Sequence, residues 1–530
     1  AHVEPALALV ESVRGRALGD LFRTSFSGSV LDAYQLQIDI LMSLHAKSPG
    51  SGFAVRAFEA SERARARGLL DLLRESRVEV RGAIDGDLAE RERRLRQTLN
   101  AKVELRQRLL ASRTGAAGAA EVEREIVLLL TQYGAAEARI SSQDPWYAEL
   151  TQPEPLRLAE LQAWLDDGTV LVEYSLGARH SVLWWITATS FEAFELPPRA
   201  VLAEAARRAA EALSVPDPGR LDERHQALEN LGRLLLTPLA GRLSGQRLAV
   251  VADGPLQHIP FAALPAPGGG DPLLVRHEVV HLPSAGVLRE LRRKPVPAER
   301  PLGLIALLAD PVFAADDPRV STTEATAGSP TEETPFERLV WTRREAEAIT
   351  ALADPSQVFL ALDFDASRET LTGPRAGHYR ILHLATHGVI DSENPALSGV
   401  VLSRVDPQGR SRDGFLHLTD LYSLKISAGL VVLSGCRTAL GKEIRGEGLV
   451  GLTRGLFRAG ASQVVASLWA VRDRATAELM RRFYSALLRD GLKPAAALRE
   501  AQLSLRAEPR WRDPYFWAPF TVQGDWTRQP

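Results

Sequence analysis

The sequence predicts a two-part protein: an α-helical, repeat-like N-terminal region followed by an α/β domain built on a mostly parallel sheet. Two observations carry this. Over residues 1–150 alanine, leucine, arginine and glutamate dominate and turn signals are few. From residue 247 onward, continuous apolar runs alternate with helical segments, the pattern of strands buried on both faces. At 530 residues the chain exceeds what one hydrophobic core can hold, so two or three domains are expected.

In the first part, helical stretches at 32–45 and 53–73 flank the turn "SPGSG". A longer hairpin follows. Leu88, Leu95, Leu99 and Val103 form one apolar stripe, and Val122, Ile126, Leu129 and Tyr133 form another at i, i+4, i+7, i+11. Such spacings predict two helices packed antiparallel with charged faces outward. The region reads either as a plain scaffold or as a partner-binding array of helical pairs of the tetratricopeptide kind, although no clean 34-residue period is present.

Near residue 153 the character changes. The runs "TVLVEYSL" and "SVLWWIT", split by "GARH", predict a β-hairpin, and a helix follows over 200–214. Residues 151–246 are thus expected to be an α+β linking segment, with the main α/β domain over 247–530. Its strands are expected at 247–253, 302–310, 379–388, 428–436 and 462–469, and its helices near 343–353, 447–459, 474–488 and 493–507. Between 314 and 338 the sequence is acidic and rich in Thr, Ser and Pro, and reads as a mobile loop.

The bulk numbers exclude several roles. A net charge of −2 argues against direct nucleic-acid or anionic-membrane binding. A single cysteine excludes an intramolecular disulfide framework and any multi-cysteine metal site. No run approaches the roughly 18–20 apolar residues needed to span a bilayer. The start shows no charged segment followed by an apolar one, so a cytoplasmic location is expected. The chain opens on Ala1, which leaves a preceding segment open. No cofactor is expected.

Two strands end in reactive groups: "LHLATHG" in His387-Gly388, and "VVLSGC" in Cys436. Neighbouring parallel strands present their C-terminal ends on one edge of a sheet, so His387 and Cys436 are expected to face each other across a cleft. A cysteine nucleophile needs thiolate character and a nearby base, which a histidine supplies. The backbone N–H groups of Gly388 and Cys436 would form a two-donor oxyanion hole. A lone cysteine at a strand end is also compatible with an inert core residue. "HLATH" lacks the glutamate of a zinc-protease helix and reads as strand, so no metal is expected; His383, inside the strand, reads as a hydrogen-bonded core histidine.

At these residues the sequence resembles the CHAT family, caspase-like domains commonly attached to tetratricopeptide repeats. The stretches that carry the resemblance are "ILHLATHG", "LTDLYSLKISAGLVVLSGCRTALG", "GEGLVGLTRGLFRAGASQVVASLWAVRDRAT", "FWAPFTVQGD" and "LAVVADGPLQHIPFAAL". Upstream, "YQLQIDILMSLH" and "AFEASERARARGLLDLL" are similar to the helical region that precedes many such domains. The resemblance implies a caspase-like three-layer α/β sandwich and membership of a clan of cysteine peptidases that includes separases and gingipain-like enzymes. It places the catalytic histidine on His387 and the nucleophile on Cys436. It further implies a protein substrate, and a protein or ligand activator acting through the helical region.

By the same resemblance, the pocket for the residue before the scissile bond lies at the ends of the first strand and of the strand after the nucleophile's. Those ends carry Asp253 and Asp473. Each is also readable as a turn residue or helix cap. As pocket carboxylates they would select Arg or Lys, with arginine favoured by bidentate pairing. Arg472, beside Asp473, keeps an acidic-substrate pocket as the lesser alternative. The expected function is a regulated cysteine endopeptidase cutting after a basic residue. The rivals are a non-proteolytic scaffold that binds partners through its helical region, and an acyl transferase using the same thiolate.

Overall fold

The computed structural model describes residues 20–65, 69–70, 72–73, isolated positions between 91 and 109, and residues 116–142, 156–243, 247–293, 301–321, 336–391, 395–435, 441–444, 448–470 and 472–530. The chain divides into two compact units, Ala1–Leu156 with Ile444–Glu447, and Arg157–Glu443 with Gly448–Pro530.

The first unit is helical where described: α1 (Asp20–Lys47), α2 (Phe53–Ala64) and α3 (Ala116–Ser142). Gly52 opens α2 at φ 73°, a left-handed backbone that glycine adopts without strain, so the "SPGSG" stretch turns the chain as expected. Small residues on α2 (Ala54, Ala57, Ala60, Ala64) are buried with Phe58, and Ala64 packs against Tyr34 of α1. The single helix expected over 53–73 is interrupted. Arg65 is extended (φ −101°, ψ 146°), its buried side chain donates back to Ser61 Oγ, and helical geometry resumes at 69–70.

Farther along, Lys102 Nζ lies 2.5 Å from Glu125 Oε2, and the Leu109 side chain lies against Gly118. Both pairs are centred on the same point of the chain, which is the mark of an antiparallel helical hairpin. Val122 and Ile126 are buried on its α3 arm. Leu88, Leu99 and Val103 lie outside the described residues.

The second unit is organised by an 11-stranded sheet. Its strands are β1 (Thr169–Ser175), β2 (Ser181–Ile186), β3 (Phe191–Leu196), β4 (Arg247–Val251), β5 (Val279–Leu282), β6 (Ile305–Pro311), β7 (Val358–Asp363), β8 (Ile381–Ala385), β12 (Leu430–Leu433), β15 (Gln463–Ser467) and β16 (Phe520–Gly524). The order is β3-β2-β1-β4-β5-β16-β15-β12-β8-β6-β7. Seven of the ten junctions are parallel; only β1/β2, β2/β3 and β15/β16 are antiparallel. Every residue of β6, β8, β12 and β15 is buried, so both faces of the sheet are covered there.

Shorter pairings complete the unit. One sheet joins β9 (Gly388–Val389), β10 (Gly399–Val401) and β11 (Phe415–His417), and another joins β13 (Gly441–Ile444) and β14 (Gly448–Gly451). Its helices include α4 (Arg199–Ser214), α5 (Leu221–Leu236), α6 (Val340–Thr350), α7 (Leu452–Ala459), α8 (Asp473–Leu488) and α9 (Pro494–Ala507).

Two expectations change here. Residues 151–246, expected as a linking segment, supply β1–β3 to the main sheet through parallel β1/β4 pairing. The fully buried Arg224 of α5 also pairs with Asp513 near the C-terminus. The segment 314–338, expected as an unpacked loop, is packed at both described flanks. Val320 joins Val312 and Val405 in one apolar cluster, and Phe336 packs on Phe313, Val401 and Phe415 in another. Its few apolar residues supply the burial that the surrounding Asp, Thr and Glu cannot. Residues 322–335 lie outside the described set.

Candidate functional site

From β6 the chain runs outward to β7, then crosses back to lay β8 on the other side of β6, and continues away through β12 and β15. The direction of winding therefore reverses between β6 and β8. In an open α/β sheet the carboxyl ends of strands flanking such a reversal diverge and leave a crevice. Asp310 closes β6 and His387 follows β8 at this crevice.

His387 is positioned from its backbone. Its carbonyl accepts from Val401 N (2.9 Å), and the neighbouring Thr386 Oγ1 donates to the Val401 carbonyl, so β10 clamps the turn on which the imidazole sits. The ring is half-buried. It lies 5.2 Å from the Phe313 ring and 5.6 Å from the Phe336 ring. Its Nε2 donates to the Glu337 carbonyl at 2.7 Å; a carbonyl only accepts, so this nitrogen carries a proton. His383 is fully buried, with Nδ1 3.0 Å from Tyr484 Oη and Nε2 2.9 Å from Glu345 Oε1, and takes no part in the crevice.

The strand that leads to Cys436 is β12, and it pairs in parallel with β8 (Leu433 opposite Leu384). Ser434 N donates to the Leu384 carbonyl at 2.9 Å, and Ser467 Oγ, at the end of β15, donates to the Gly435 carbonyl. The backbone is thus tied to both neighbouring strands up to Gly435. Cys436 itself lies outside the described residues. Gly388 begins β9 and sits opposite Val400 of β10.

The two carboxylates singled out in the sequence go to different places. Asp253 follows β4, five strands from β8 in the sheet order, or roughly 24 Å at the usual strand spacing. Its Oδ2 accepts from Leu176 N at 2.7 Å, which ties the end of β4 to the end of β1. The Asp253 side chain is therefore not at the crevice, and it bonds across to another strand while the Asp253 carbonyl accepts from Leu256 N within its own turn. Asp473 follows β15, two strands from β8, and is the first residue of α8, with Arg472 as the N-cap. Its Oδ2 accepts from Trp341 N at 2.7 Å. Leu339, the N-cap of α6, has no capping side chain, so Asp473 satisfies an N–H that the helix start leaves open. Burial pushes Asp473 up to about 6; the Trp341 hydrogen bond opposes this, and the charges of Glu345 and Asp310 add to it.

The carboxylate that does reach the crevice is Asp310. It sits at a register shift in β6, in the left-handed region (φ 50°), with its side chain wholly buried. Three arginines converge on it. Arg338 binds in the bidentate mode (Nε to Oδ1 2.9 Å, Nη2 to Oδ2 2.7 Å), Arg343 Nε donates to Oδ2 at 2.8 Å, and Arg319 Nη1 lies 3.1 Å from Oδ1. Arg319 and Arg343 also share Asp363 at the end of β7. Burial alone would raise Asp363, but the hydrogen bonds from Arg343 and Arg319 hold it below the usual carboxylate range.

The sequence carried a signal for Asp310, because "ALLAD" ends in aspartate just as "AVVAD" does. Only the strand order separates the two. Among the described residues no group of three or more His, Cys, Asp or Glu is arranged to hold a metal ion, and no helix is long and apolar enough to cross a membrane.

These features define an α/β sandwich with a crevice at the carboxyl ends of β6 and β8. A CHAT domain matches residues 225–525, and the chain belongs to the CHAT domain family. The expected class, a helical N-terminal region followed by an α/β domain on a mostly parallel sheet, is the architecture found.

Among curated proteins, the chain is similar to tetratricopeptide repeat protein 28 of Mus musculus (40% identical over 113 residues, 21% of this chain and 4% of that protein). It is likewise similar to its Homo sapiens counterpart (26% over 327 residues, 56% of this chain). The matches span 4% and 13% of those two proteins. Among solved structures it is similar to the Saccharomyces cerevisiae separase–securin complex (TM-score 0.48, 9% identity, 83% of this chain and 37% of that one). The Arg-specific cysteine proteinase gingipain R is also similar (TM-score 0.36, 11% identity, 62% of this chain and 74% of that one).

Proposed function

We propose that the chain is a regulated cysteine endopeptidase in which His387 and Cys436 act as a pair. The observation that carries this reading is the parallel pairing of β8 and β12, whose carboxyl ends lead to His387 and to the backbone preceding Cys436. The Cys436 thiolate attacks the scissile carbonyl carbon, and the developing oxyanion is held by the N–H groups of Gly388 and Cys436. His387 gives its proton to the leaving amine as the C–N bond breaks. Water, deprotonated by His387, then releases the acyl group from the thioester as the acid and restores the thiolate beside the protonated imidazole.

Selection of a basic residue before the cut is assigned to the Asp310 end of the crevice, where Asp310 replaces Asp253 as the strand-end carboxylate and Asp473 completes the wall. A buried carboxylate that already receives a bidentate guanidinium is chemically suited to a substrate arginine. The helical region takes the protein or ligand activator.

A second reading, a non-proteolytic scaffold binding partners through the helical region, is favoured by the relatives' name, which describes a repeat and not an activity. Comparison of new N-termini in cells expressing the wild type with those expressing Cys436→Ala decides between them. A set of cuts, after Arg or Lys, that depends on Cys436 supports the peptidase; identical N-termini support the scaffold.

A further inference from the structure

Three contacts made by consecutive residues converge on the crevice. Phe336 lays its ring 5.6 Å from the His387 imidazole and, with Phe313 (5.2 Å from the imidazole and 6.0 Å from Phe336), forms a triangle of rings of which the imidazole is one corner. The Glu337 carbonyl takes the His387 Nε2 proton at 2.7 Å. Arg338 puts its guanidinium on Asp310 through two parallel hydrogen bonds. We propose that Phe336–Glu337–Arg338 is an intramolecular pseudosubstrate strap: it fills the place of a basic peptide in the crevice, and His387 is reached only when it withdraws.

The residue types fit that role and a merely structural one less well. Glu337 and Arg338 are exposed, as a surface strap would be and a core segment would not. Arg338 is not needed to neutralise Asp310, because Arg319 and Arg343 already bind the same carboxylate. What Arg338 adds is the planar, bidentate grip through which a substrate arginine would be recognised.

The strap is also built so as not to be cut. With an arginine bound to Asp310, the bond offered to the nucleophile would be the one after Arg338. The carbonyl that His387 holds belongs instead to Glu337, one residue earlier. The strap thus engages the histidine with the wrong peptide unit. Its withdrawal frees the bidentate position on Asp310, with Arg319 and Arg343 staying in place, and His387 for proton transfer in a single movement.

This inference rests on the peptidase reading for what is blocked, and its test separates the two. Wild type, Arg338→Ala and Phe336→Ala are treated with diethyl pyrocarbonate, and modification of His387 is followed by peptide mass mapping against the exposed His180 as an internal reference. Arg338→Ala leaves two arginines on Asp310, so the fold is retained; Phe336→Ala does not touch that cluster at all.

Both variants are expected to raise the His387 modification rate about tenfold, the shift in accessible fraction that loss of one anchor of a closed state produces. Unchanged His387 reactivity in both variants overturns the strap. Cleavage of an arginyl fluorogenic peptide is measured in parallel and is expected to rise in step. If wild type cleaves the peptide measurably and as fast as both variants, the strap is likewise overturned. If His387 becomes reactive and no variant cleaves, the strap stands and the peptidase reading fails.

Discussion

At the scale of single residues, the crevice separates groups that look alike on paper. Asp253 and Asp310 both close an apolar strand, yet one holds Leu176 N across to β1 and the other gathers three arginines beside His387. Asp253→Ala leaves the buried Leu176 N–H without its acceptor and is expected to cost about 1–3 kcal/mol in stability by urea denaturation. Its effect on any arginine preference in a positional-scanning peptide library is expected to be nil.

Asp473 behaves differently, since its folded value lies near 6, above that of a free aspartate. Its charged form is disfavoured in the folded state, so its contribution is fully favourable below about pH 4 and is lost as pH rises through 6. Asp473→Asn keeps an oxygen for Trp341 N and removes the charge. It is therefore expected to match wild type at pH 4 and to exceed it by about 1 kcal/mol at pH 7, in parallel denaturation curves. The same substitution is expected to weaken the preference for arginine.

At the scale of elements, β10 holds the site's geometry. It pairs with β9 at Gly388 and clamps His387 through Val401. Gly399 of β10 lies so close to β11 that a Cβ there would stand 2.3 Å from the Leu416 carbonyl. Gly399→Ala is expected to push β10 off its partner, lowering stability by about 2–3 kcal/mol in thermal unfolding and lowering peptide turnover with it.

The strands β1, β2, β4, β6, β8, β12 and β15 were legible in the sequence because each is an unbroken apolar run, and most long helices because they are strongly periodic. β3, β5, β7 and β16 were not: β5 has only four residues, β7 is only partly buried, β16 mixes polar with apolar positions, and "FEAFEL" of β3 alternates, is only half-buried and forms by pairing with β2 at the sheet edge. The packing of Phe336 was hidden for a related reason. One aromatic in an acidic, Thr-rich stretch gives no period, and its partners Phe313 and His387 are far away in sequence. The order of strands, which decides between Asp253 and Asp310, is a property of long-range pairing and leaves no local trace.

At the scale of the whole molecule, the helical unit and the α/β unit are separate compact bodies in one chain. The proposal gives them a division of labour, with recognition of an activator in one and peptide cleavage in the other. The acidic, Thr-, Ser- and Pro-rich composition of 322–335, between the packed flanks, marks it as the place where subtilisin is expected to cut first. A first cut within α1 or α2 would contradict that ordering.

The central claim is that His387 and Cys436 form one reactive pair. It is tested most directly by a peptidyl-arginyl chloromethyl ketone, applied to the Arg338→Ala protein and to the same protein carrying His387→Ala, with the adduct mapped by mass spectrometry. A histidine-paired thiolate is alkylated far faster than an isolated thiol. The account predicts a stoichiometric adduct on Cys436 that forms at least about a hundredfold more slowly once His387 is gone. Equal rates of modification in the two proteins would contradict it.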